Sequence, residues 1–237
     1  MKLRDLHPWS VSPAEAVQIQ RMLAPQVIRR GEPAEVRLIA GVDISVDASR
    51  RRGIGAVVVL SYPDLQLVEV SVEEADLDFP YVPGLLSFRE TPVLRSALEK
   101  LSSRPDLLIA DAQGLAHPRR FGLACHLGLL LDLPTIGCAK SRLTGEHWPP
   151  GEEVGSRADL IDEGEVVGSV LRTRSGTQPV FVSIGHRTSL GAAEEWVLRC
   201  CKGYRLPEPT RLAHQAAGGQ LKAPVRQAPS QEQLRLL

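Results

Sequence analysis

Three acidic residues lie beside apolar segments, where an ionised carboxylate needs a partner. Asp43 lies inside the apolar segment 40–44, Asp111 directly follows the apolar segment 107–110, and Glu90 lies near the start of a predicted helix. Burial of an ionised carboxylate is costly unless the group is paired or binds a cation. Carboxylates that converge bind Mg²⁺, because this ion prefers hard oxygen ligands, and such a site can activate water for phosphodiester hydrolysis. Each acid taken alone is explained equally well by a structural ion pair.

The first half of the predicted fold is a helix followed by a three-stranded meander. Residues 13–30 have apolar residues at helical spacing after a proline in the first turn. Residues 35–47, 54–60 and 65–72 are rich in β-branched and apolar residues. Short turns at residues 50–53 and 61–64 connect them, so the three strands are expected to be antiparallel. The first strand has apolar residues on both faces and should be covered on both sides.

Strands and helices alternate in the next part of the chain. After a loop rich in acids and prolines at residues 73–86, the pattern predicts a helix at 88–101, a strand at 107–110, a helix at 119–131 and a strand at 135–138. Short connections in this order favour parallel pairing. We therefore predict an α/β, ribonuclease H-like mixed sheet, with three antiparallel strands followed by parallel strands, flanked by helices. The ends of the first and fourth strands then lie side by side, and metal binding is favoured for Asp43 and Asp111 together.

The remaining residues complete one domain. A hairpin is predicted at residues 165–172 and 179–183, and a helix at 190–201. Residues 216–237 combine glycine and proline with few apolar residues and no periodicity, so we expect a disordered C-terminal tail. The sequence predicts a single catalytic domain at residues 1–215, with no internal repeat.

Composition places few limits on function. The 28 basic and 28 acidic residues cancel, so overall charge gives no support for nucleic-acid binding. The four cysteines include no CxxC pair and are expected to be buried thiols in a reducing compartment. No signal peptide or membrane-spanning segment is predicted. We expect a soluble, cytoplasmic, monomeric protein with no membrane association.

Five ordered segments resemble the endonuclease V family. They are residues 79–90 (FPYVPGLLSFRE), 111–120 (DAQGLAHPRR), 137–140 (GCAK), 179–186 (PVFVSIGH) and 206–211 (LPEPTR). Five segments in the family's order are far more specific than one short motif. Ala112, Cys138 and Ile184 depart from residues common in the family, but none of these positions is a metal ligand or part of the wedge described below.

The resemblance implies catalytic roles for five residues. Asp43, Glu90 and Asp111 resemble the family's divalent-metal carboxylates, with Mg²⁺ as the expected ion and Mn²⁺ as an alternative. Lys140 resembles the lysine that contacts the scissile phosphate region, where a cation stabilises developing negative charge. His117 either positions water or the leaving group, or orients a carboxylate; the sequence does not separate these roles.

The resemblance also implies a wedge and a pocket for the damaged base. The wedge is Pro80, Tyr81, Val82 and Pro83, in which two prolines stiffen the tip and Tyr81 stacks in the gap left by an extruded base. Without the family, a tyrosine between prolines is a packed loop anchor. The pocket residues are Gly84, Leu85 and Gly114. The two glycines either let the main chain approach the base or are ordinary turn glycines.

Five further residues lie near the proposed site. His186 and His214 are expected to be surface or supporting histidines. Arg119, Arg120 and Arg142 either supply local positive charge or, for Arg119 and Arg120, lie on a solvated helix face.

The resemblance implies an enzyme that recognises hypoxanthine in DNA containing deoxyinosine. It would hydrolyse the second phosphodiester 3′ to the lesion and leave a 3′-hydroxyl and a 5′-phosphate, which would start DNA repair. Two alternatives stay open. One is a nuclease of the same fold that acts on inosine in RNA or on branched or mismatched structure. The other is a module that binds hypoxanthine without cleavage.

Overall fold

The structure, a computed structural model, describes residues 1–47 and 51–221, and within them an eight-stranded mixed β-sheet is the centre of the fold. The strands are β1 (Leu38–Asp47), β2 (Arg52–Ser61), β3 (Leu67–Asp76), β4 (Leu107–Ala110), β5 (Thr135–Ala139), β6 (Arg157–Asp162), β7 (Glu165–Leu171) and β8 (Val180–His186). The helices are α1 (Pro13–Leu23), α2 (Leu86–Glu99), α3 (Leu123–Leu131), α4 (Leu190–Arg199) and α5 (Glu208–Ala217), and a short 3-10 helix, Ala24–Gln26, follows α1.

The strand order confirms the predicted fold class. The sheet has the order β3-β2-β1-β4-β5-β8-β7-β6. β1, β2 and β3 form the antiparallel meander, whereas β1 pairs with β4, and β4 with β5, in parallel. The predicted hairpin is β7 and β8, and β8 joins the sheet by antiparallel pairing with β5. The protein is therefore an α/β fold with the mixed sheet expected of a ribonuclease H-like core.

Several predicted boundaries were wrong where the backbone changes conformation. The helix predicted to reach residue 30 ends at Leu23, and Pro25, which has no N–H to continue an α-helix, lies in the 3-10 helix that follows. β1 and α3 begin three and four residues later than predicted, because Glu35 and Arg120 have positive φ angles of 53° and 54°. β3 extends to Asp76, into the segment predicted as a loop.

Two elements were not predicted, and one of them crosses the predicted domain boundary. β6 has one buried apolar residue, Leu160, and α5 buries mainly small residues, so neither shows strong apolar periodicity. α5 includes Ala216 and Ala217, which are buried, so the predicted boundary at residue 215 falls inside its last turn. Residue 50 of the predicted turn 50–53, and residues 222–237 of the predicted tail, lie outside the described residues.

Helices cover both faces of the sheet. α2 and α3 pack on one face and α4 and α5 on the other. In β1, Ala40 and Val42 pack in the first of these layers and Ile39 in the second, which confirms that β1 is covered on both sides. Three cysteines are buried and Cys201 is half-buried, and all four are free thiols. Among the described residues, no helix has the length and hydrophobicity needed to cross a membrane.

Candidate active site

Asp43 and Asp111 converge because β1 and β4 are parallel neighbours. Val42 is the register partner of Ala110, and the backbone N–H of Asp111 donates to the carbonyl of Val42 at 3.1 Å. Side chains alternate between the two faces of a strand, so Asp43 lies on the same face as Ile39, the face that α4 and α5 cover. The predicted convergence of these two acids is confirmed, although Asp43 lies inside β1 and only Asp111 follows a strand end.

α5 brings a histidine to the same place. Gly41 lies so close to α5 that a Cβ atom there would be 2.0 Å from the carbonyl oxygen of Pro209, and only glycine allows this approach. From Gly41 to Asp43 the strand rises about 7 Å, and from Pro209 to His214 the helix rises about the same length. His214 therefore lies beside Asp43, with Nδ1 2.7 Å from Oδ2. The expectation of a surface or supporting histidine is consistent with this position, since the side chain is exposed and contacts a carboxylate.

The side chains of Asp43, Asp111 and His214 fit a divalent cation. Each offers one ligand atom, and these atoms all lie within 4.8 Å of one another. Burial, with the charges of Asp43 and Asp111, raises the pKa of Glu90 to about 8. Burial and the charge of Asp43 also raise the pKa of Asp111, although Lys140 opposes this change. Two carboxylates with an imidazole suit Mn²⁺ as well as Mg²⁺, since hard oxygen ligands serve both ions.

Lys140 follows β5 and forms an ion pair with one of these carboxylates. Its Nζ atom lies 2.5 Å from Oδ2 of Asp111, whose side chain is only 5% exposed, whereas the lysine side chain is 38% exposed. The lysine therefore neutralises part of the acidic charge and still reaches solvent. The structure places this predicted residue in the site.

A cavity of about 290 Å³ adjoins the carboxylates. One wall is formed by residues 81–84 of the predicted wedge and pocket segment, another by His117, Gly122 and Leu123, and a third by residues 141–143. Asp111, Ala112 and Gln113 also line it. The volume lies just below the usual range of about 300–1,000 Å³ for small-molecule pockets. Asp111 belongs to both the cavity and the carboxylate group, so the two parts form one site.

The wedge segment projects from the surface. Tyr81 is 72% exposed, and Pro80 and Pro83 are also exposed. Val82 is half-buried and packs against a small core cluster that contains Phe79 and Phe88. Such exposure does not fit a packed loop anchor. It fits a rigid tip whose aromatic ring is free to stack.

Two of the three predicted pocket residues do not line the cavity. Leu85 is buried in the core cluster with Phe88, and its neighbour Leu86 faces the cavity instead. Gly114 packs against β8, where a Cβ atom would be 2.1 Å from the carbonyl oxygen of Ile184. Its N–H donates to Ser183 and its carbonyl accepts from Gly122, so its peptide groups are already bonded within the protein. Gly84 does line the cavity.

His117 holds loops together. Its Nε2 lies 2.8 Å from the carbonyl oxygen of Gly84, and its Nδ1 accepts from the backbone N–H of Arg119. Nε2 therefore carries the proton and donates to Gly84. Burial lowers the pKa of His117 to about 4, so the ring is neutral. Both nitrogens bond to the backbone, which supports neither the water-positioning role nor the carboxylate-orienting role expected from the sequence.

Arg119, Arg120 and His186, which the sequence places near the site, have mainly structural contacts. Arg119 donates to the side chain of Gln20 and to the carbonyl of Gly84, and Arg120 forms ion pairs with Asp162 and Glu165. Neither therefore lies on a purely solvated helix face. His186 is buried, and its Nδ1 accepts from the backbone N–H of Ile28.

Arg142 alone among the three flagged arginines lines the cavity. Sequence reasoning missed the neighbouring lining residues Leu86, Ser141 and Leu143. The signal for the last two was their position directly after Lys140, in the loop that leaves the carboxyl end of β5.

Carboxylates that converge from neighbouring parallel strands in a mixed sheet of this order, beside a cavity, indicate a nuclease of the ribonuclease H-like class. The family model for endonuclease V matches residues 21–215. The chain belongs to the endonuclease V family.

Individual relatives agree with this assignment. Endonuclease V from Dehalococcoides mccartyi is 54% identical over 217 residues, which cover 92% of this chain and 97% of that protein. The crystal structure of endonuclease V from Streptomyces avermitilis is similar, with a TM-score of 0.85, 42% identity, and 92% and 97% of the two chains covered. Endonuclease V from Ciona intestinalis, in complex with a 24mer DNA that contains an inosine followed by a ribo-adenosine, has a TM-score of 0.77 and 29% identity over 87% of this chain and 96% of that one.

Proposed function

We propose that the protein is a divalent-metal-dependent endonuclease that recognises a deaminated purine, hypoxanthine, in DNA containing deoxyinosine. It hydrolyses the second phosphodiester 3′ to the lesion, leaves a 3′-hydroxyl and a 5′-phosphate, and so starts DNA repair. The observation that carries this proposal is that Asp111 both lines the cavity and belongs to the carboxylate group. A base bound in the cavity would hold its own strand against the carboxylates. We expect it to act as a monomer in the cytoplasm.

The metal site of this proposal consists of Asp43, Asp111 and His214, with Glu90 as a further carboxylate close enough for mutual charge repulsion. A bound Mg²⁺ or Mn²⁺ ion would lower the pKa of a water molecule and stabilise negative charge at the phosphate. His214 bonds to Asp43 and therefore fixes the direction of that carboxylate. Relief of repulsion between the acids favours occupancy by a cation.

Lys140 complements the metal site electrostatically. Its ammonium group contacts Asp111 and is partly exposed, so it can move its hydrogen bonds toward a phosphate oxygen. In a partly desolvated site, a fixed positive charge stabilises negative charge that develops during hydrolysis. Lys140 therefore acts on the substrate and also limits the repulsion among the acids.

The wedge and the cavity provide recognition. Removing a base from the stack requires a group that fills the space it leaves, and exposed Tyr81 between two prolines is suited to this role. The cavity walls include residues 81–84 and 111–113. Peptide groups there would distinguish hypoxanthine, which has no exocyclic amine, from adenine.

A second candidate substrate is inosine in RNA. The Ciona relative was crystallised with an inosine followed by a ribo-adenosine, so a ribonucleotide is accommodated on the 3′ side of inosine in that protein. If this chain shares that property, it cuts RNA as well as DNA. Comparison of matched strands with one ribonucleotide or one deoxyribonucleotide 3′ to inosine would separate the two substrates.

A nicking assay tests the proposal. Purified protein is incubated with matched single strands that contain inosine, uracil or only normal bases, with Mg²⁺ and with EDTA. We expect cleavage of the inosine strand in Mg²⁺ alone, and a loss of more than about a hundredfold in Asp43→Asn, since even groups that only support metal ligands typically contribute 10- to 100-fold. Asp64→Asn, an exposed acid in the turn after β2, is the matched control. Binding of the inosine strand without any cleavage would instead establish a non-catalytic module.

A further inference from the structure

One carbonyl group in the cavity wall accepts an unusual number of hydrogen bonds. The carbonyl oxygen of Gly84 lies 3.0 Å from Nε2 of Gln20, 2.8 Å from Nε2 of His117 and 2.7 Å from Nη2 of Arg119, and all three nitrogens donate to it. A carbonyl oxygen has two lone pairs, so three donors saturate it. Gly84 has a φ of 77°, a conformation that glycine adopts readily, and a Cβ atom there would be 2.7 Å from Arg119.

Gln20 connects two walls of the cavity from behind. Its Nε2 also donates to the carbonyl of Phe121, at 3.1 Å, and its Oε1 accepts from Nε of Arg119 at 2.5 Å. Gly84 directly follows the wedge segment, whereas Phe121 precedes Gly122 in the opposite wall. The side chain of Gln20 is fully buried and uses both its donor and its acceptor groups. No rotation of the amide would keep these contacts, because both carbonyls require a donor.

α1 fixes the position of this glutamine. Ser12 and Glu15 form a capping box that starts the helix, and Ala16, Gln20 and Leu23 form its buried face. Gln20 lies one residue before the region that matches the family model. The N-terminal helix therefore contributes a polar contact to the cavity although it lines none of it.

We propose that Gln20 and Arg119 are positioning residues that set the spacing between the wedge segment and the Gly122 wall, and that this spacing determines how selectively the cavity accepts hypoxanthine. This inference rests on the proposed function. Neither residue touches the substrate. Their bonds hold the Gly84 carbonyl, and through it the direction of Tyr81, before the substrate binds. When a binding site is already ordered in the free protein, none of the binding free energy is used to order it.

Loss of the hydrogen bonds that Gln20 and Arg119 form should weaken substrate binding and leave the cleavage rate of the bound complex unchanged. Without Gln20 the wedge segment gains freedom relative to the Gly122 wall, so part of the binding free energy is used to order it. Asp43 lies in β1 and Asp111 directly after β4, whereas the hydrogen bonds of Gln20 go to Gly84, Phe121 and Arg119, so the cleavage rate of the bound complex should persist. Removal of the three hydrogen bonds of Gln20 is expected to raise the half-saturating concentration about tenfold, which equals about 1.4 kcal/mol.

Single-turnover kinetics of the full-length protein test this role. The variants are Gln20→Leu and Arg119→Lys, because lysine keeps the charge but lacks the two separate nitrogens, Nε and Nη2, with which Arg119 bonds to Gln20 and Gly84. Gln18→Leu, the same change on the exposed face of α1, is the control. The probes are a strand with one inosine and the same strand with guanosine, in Mg²⁺.

We expect both variants to raise the half-saturating concentration for inosine about tenfold, to keep the maximal rate within about twofold, and to cut the guanosine strand relatively more often. Unchanged half-saturation in both variants, or a fall in maximal rate alone, would overturn the inference. Arg119→Lys decides the matter if Gln20→Leu fails to fold. If the wild-type protein cuts neither strand, the proposed function is refuted. If the wild type cuts the inosine strand with the same half-saturating concentration and maximal rate as the variants, only the inference about Gln20 and Arg119 is refuted.

Discussion

At the scale of single residues, mutual repulsion among the acids defines the site. Burial, together with the charges of Asp43 and Asp111, raises the pKa of Glu90 to about 8, so at neutral pH the Glu90 carboxyl group is mostly protonated when no cation is bound. A cation would reverse this preference by favouring the ionised form. Repulsion among these acids is unfavourable when no cation is bound, and the same acids give the site its affinity for a metal.

His214 provides a test of this arrangement. Its Nδ1 contacts Asp43 and belongs to the group of possible ligands, so His214→Ala should raise the Mg²⁺ concentration needed for half-maximal nicking about tenfold or more. Titration of nicking with Mg²⁺ measures this. His147→Ala, outside the group, should match the wild type, and an unaltered Mg²⁺ dependence of His214→Ala would remove the histidine from the metal site.

Tyr81 is the residue on which the wedge depends. Tyr81→Ala removes the exposed ring, and since stacking on a base contributes about 1–3 kcal/mol, the affinity for an inosine-containing duplex should fall roughly tenfold. Fluorescence anisotropy in Ca²⁺, which should allow binding without cleavage, gives the dissociation constant. Trp148→Ala removes another exposed aromatic ring that does not line the cavity, and it serves as the control. Equal affinity of Tyr81→Ala and wild type would argue against a wedge.

At the scale of elements, pairing of strands was predictable and the position of helices was not. Asp43 and Asp111 could be placed together because apolar segments identify β1 and β4, and short connections determine how strands pair. His214 could not be placed, because its position depends on the close approach of α5 to Gly41, a contact between residues far apart in sequence. The sequence likewise could not show that Leu85 packs in the core whereas its neighbour Leu86 faces the cavity, because this depends on the direction in which the helix starts.

The segment that precedes α1 is held to α3 by two neutral histidines. Nε2 of His7 lies 2.7 Å from Nε2 of His126, and Nδ1 of His7 donates to the carbonyl of Pro8. Because both rings are neutral and Nδ1 of His7 carries its proton, Nε2 of His126 donates the hydrogen bond to Nε2 of His7. Burial lowers the pKa of His126 well below 6.5 and also lowers that of His7. Trp9 and Phe88 pack around the pair.

Stability should consequently decrease in mild acid. Above pH 6.5 both native and unfolded chains keep His126 neutral; as pH falls below 6.5 the unfolded chain takes up a proton that the native protein excludes, so unfolding becomes easier. Between pH 6.5 and 5 this amounts to at most about 2 kcal/mol. Urea denaturation across this range measures it, and His126→Leu should show a smaller pH slope than wild type. Parallel pH profiles would contradict the assignment.

At the scale of the whole molecule, a neutral protein is proposed to bind a polyanion. Composition gave no support for this function, and the structure explains why composition is a poor guide. Arg120 is paired with acids, and Arg119 bonds inside the cavity wall, so much basic charge serves the fold. The positive charge that remains at the site is local, at Lys140 and Arg142. The deaminated-base specificity followed from the family resemblance and not from bulk properties.

The C-terminal tail is expected to contribute little to stability. Residues 222–237 have few apolar side chains and no periodicity, whereas Leu221 still packs against the core cluster that includes Ala216 and Ala217. Truncation after Leu221 should leave the Tm within about 2 °C, since surface changes away from packed groups are usually within about 0.5 kcal/mol. Calorimetry of both forms measures this. A larger loss would mean that the tail is docked on the fold.

The most direct test of the account is the position of the cut. An oligonucleotide with a single deoxyinosine, labelled at its 5′ end, is cleaved in Mg²⁺ and the product is sized at single-nucleotide resolution. We predict one product that ends, with a 3′-hydroxyl, one nucleotide beyond the inosine, and no such product from Asp43→Asn or from the matched adenosine strand. Cleavage at any other bond, equal cleavage of the adenosine strand, or an undiminished product from Asp43→Asn would contradict it.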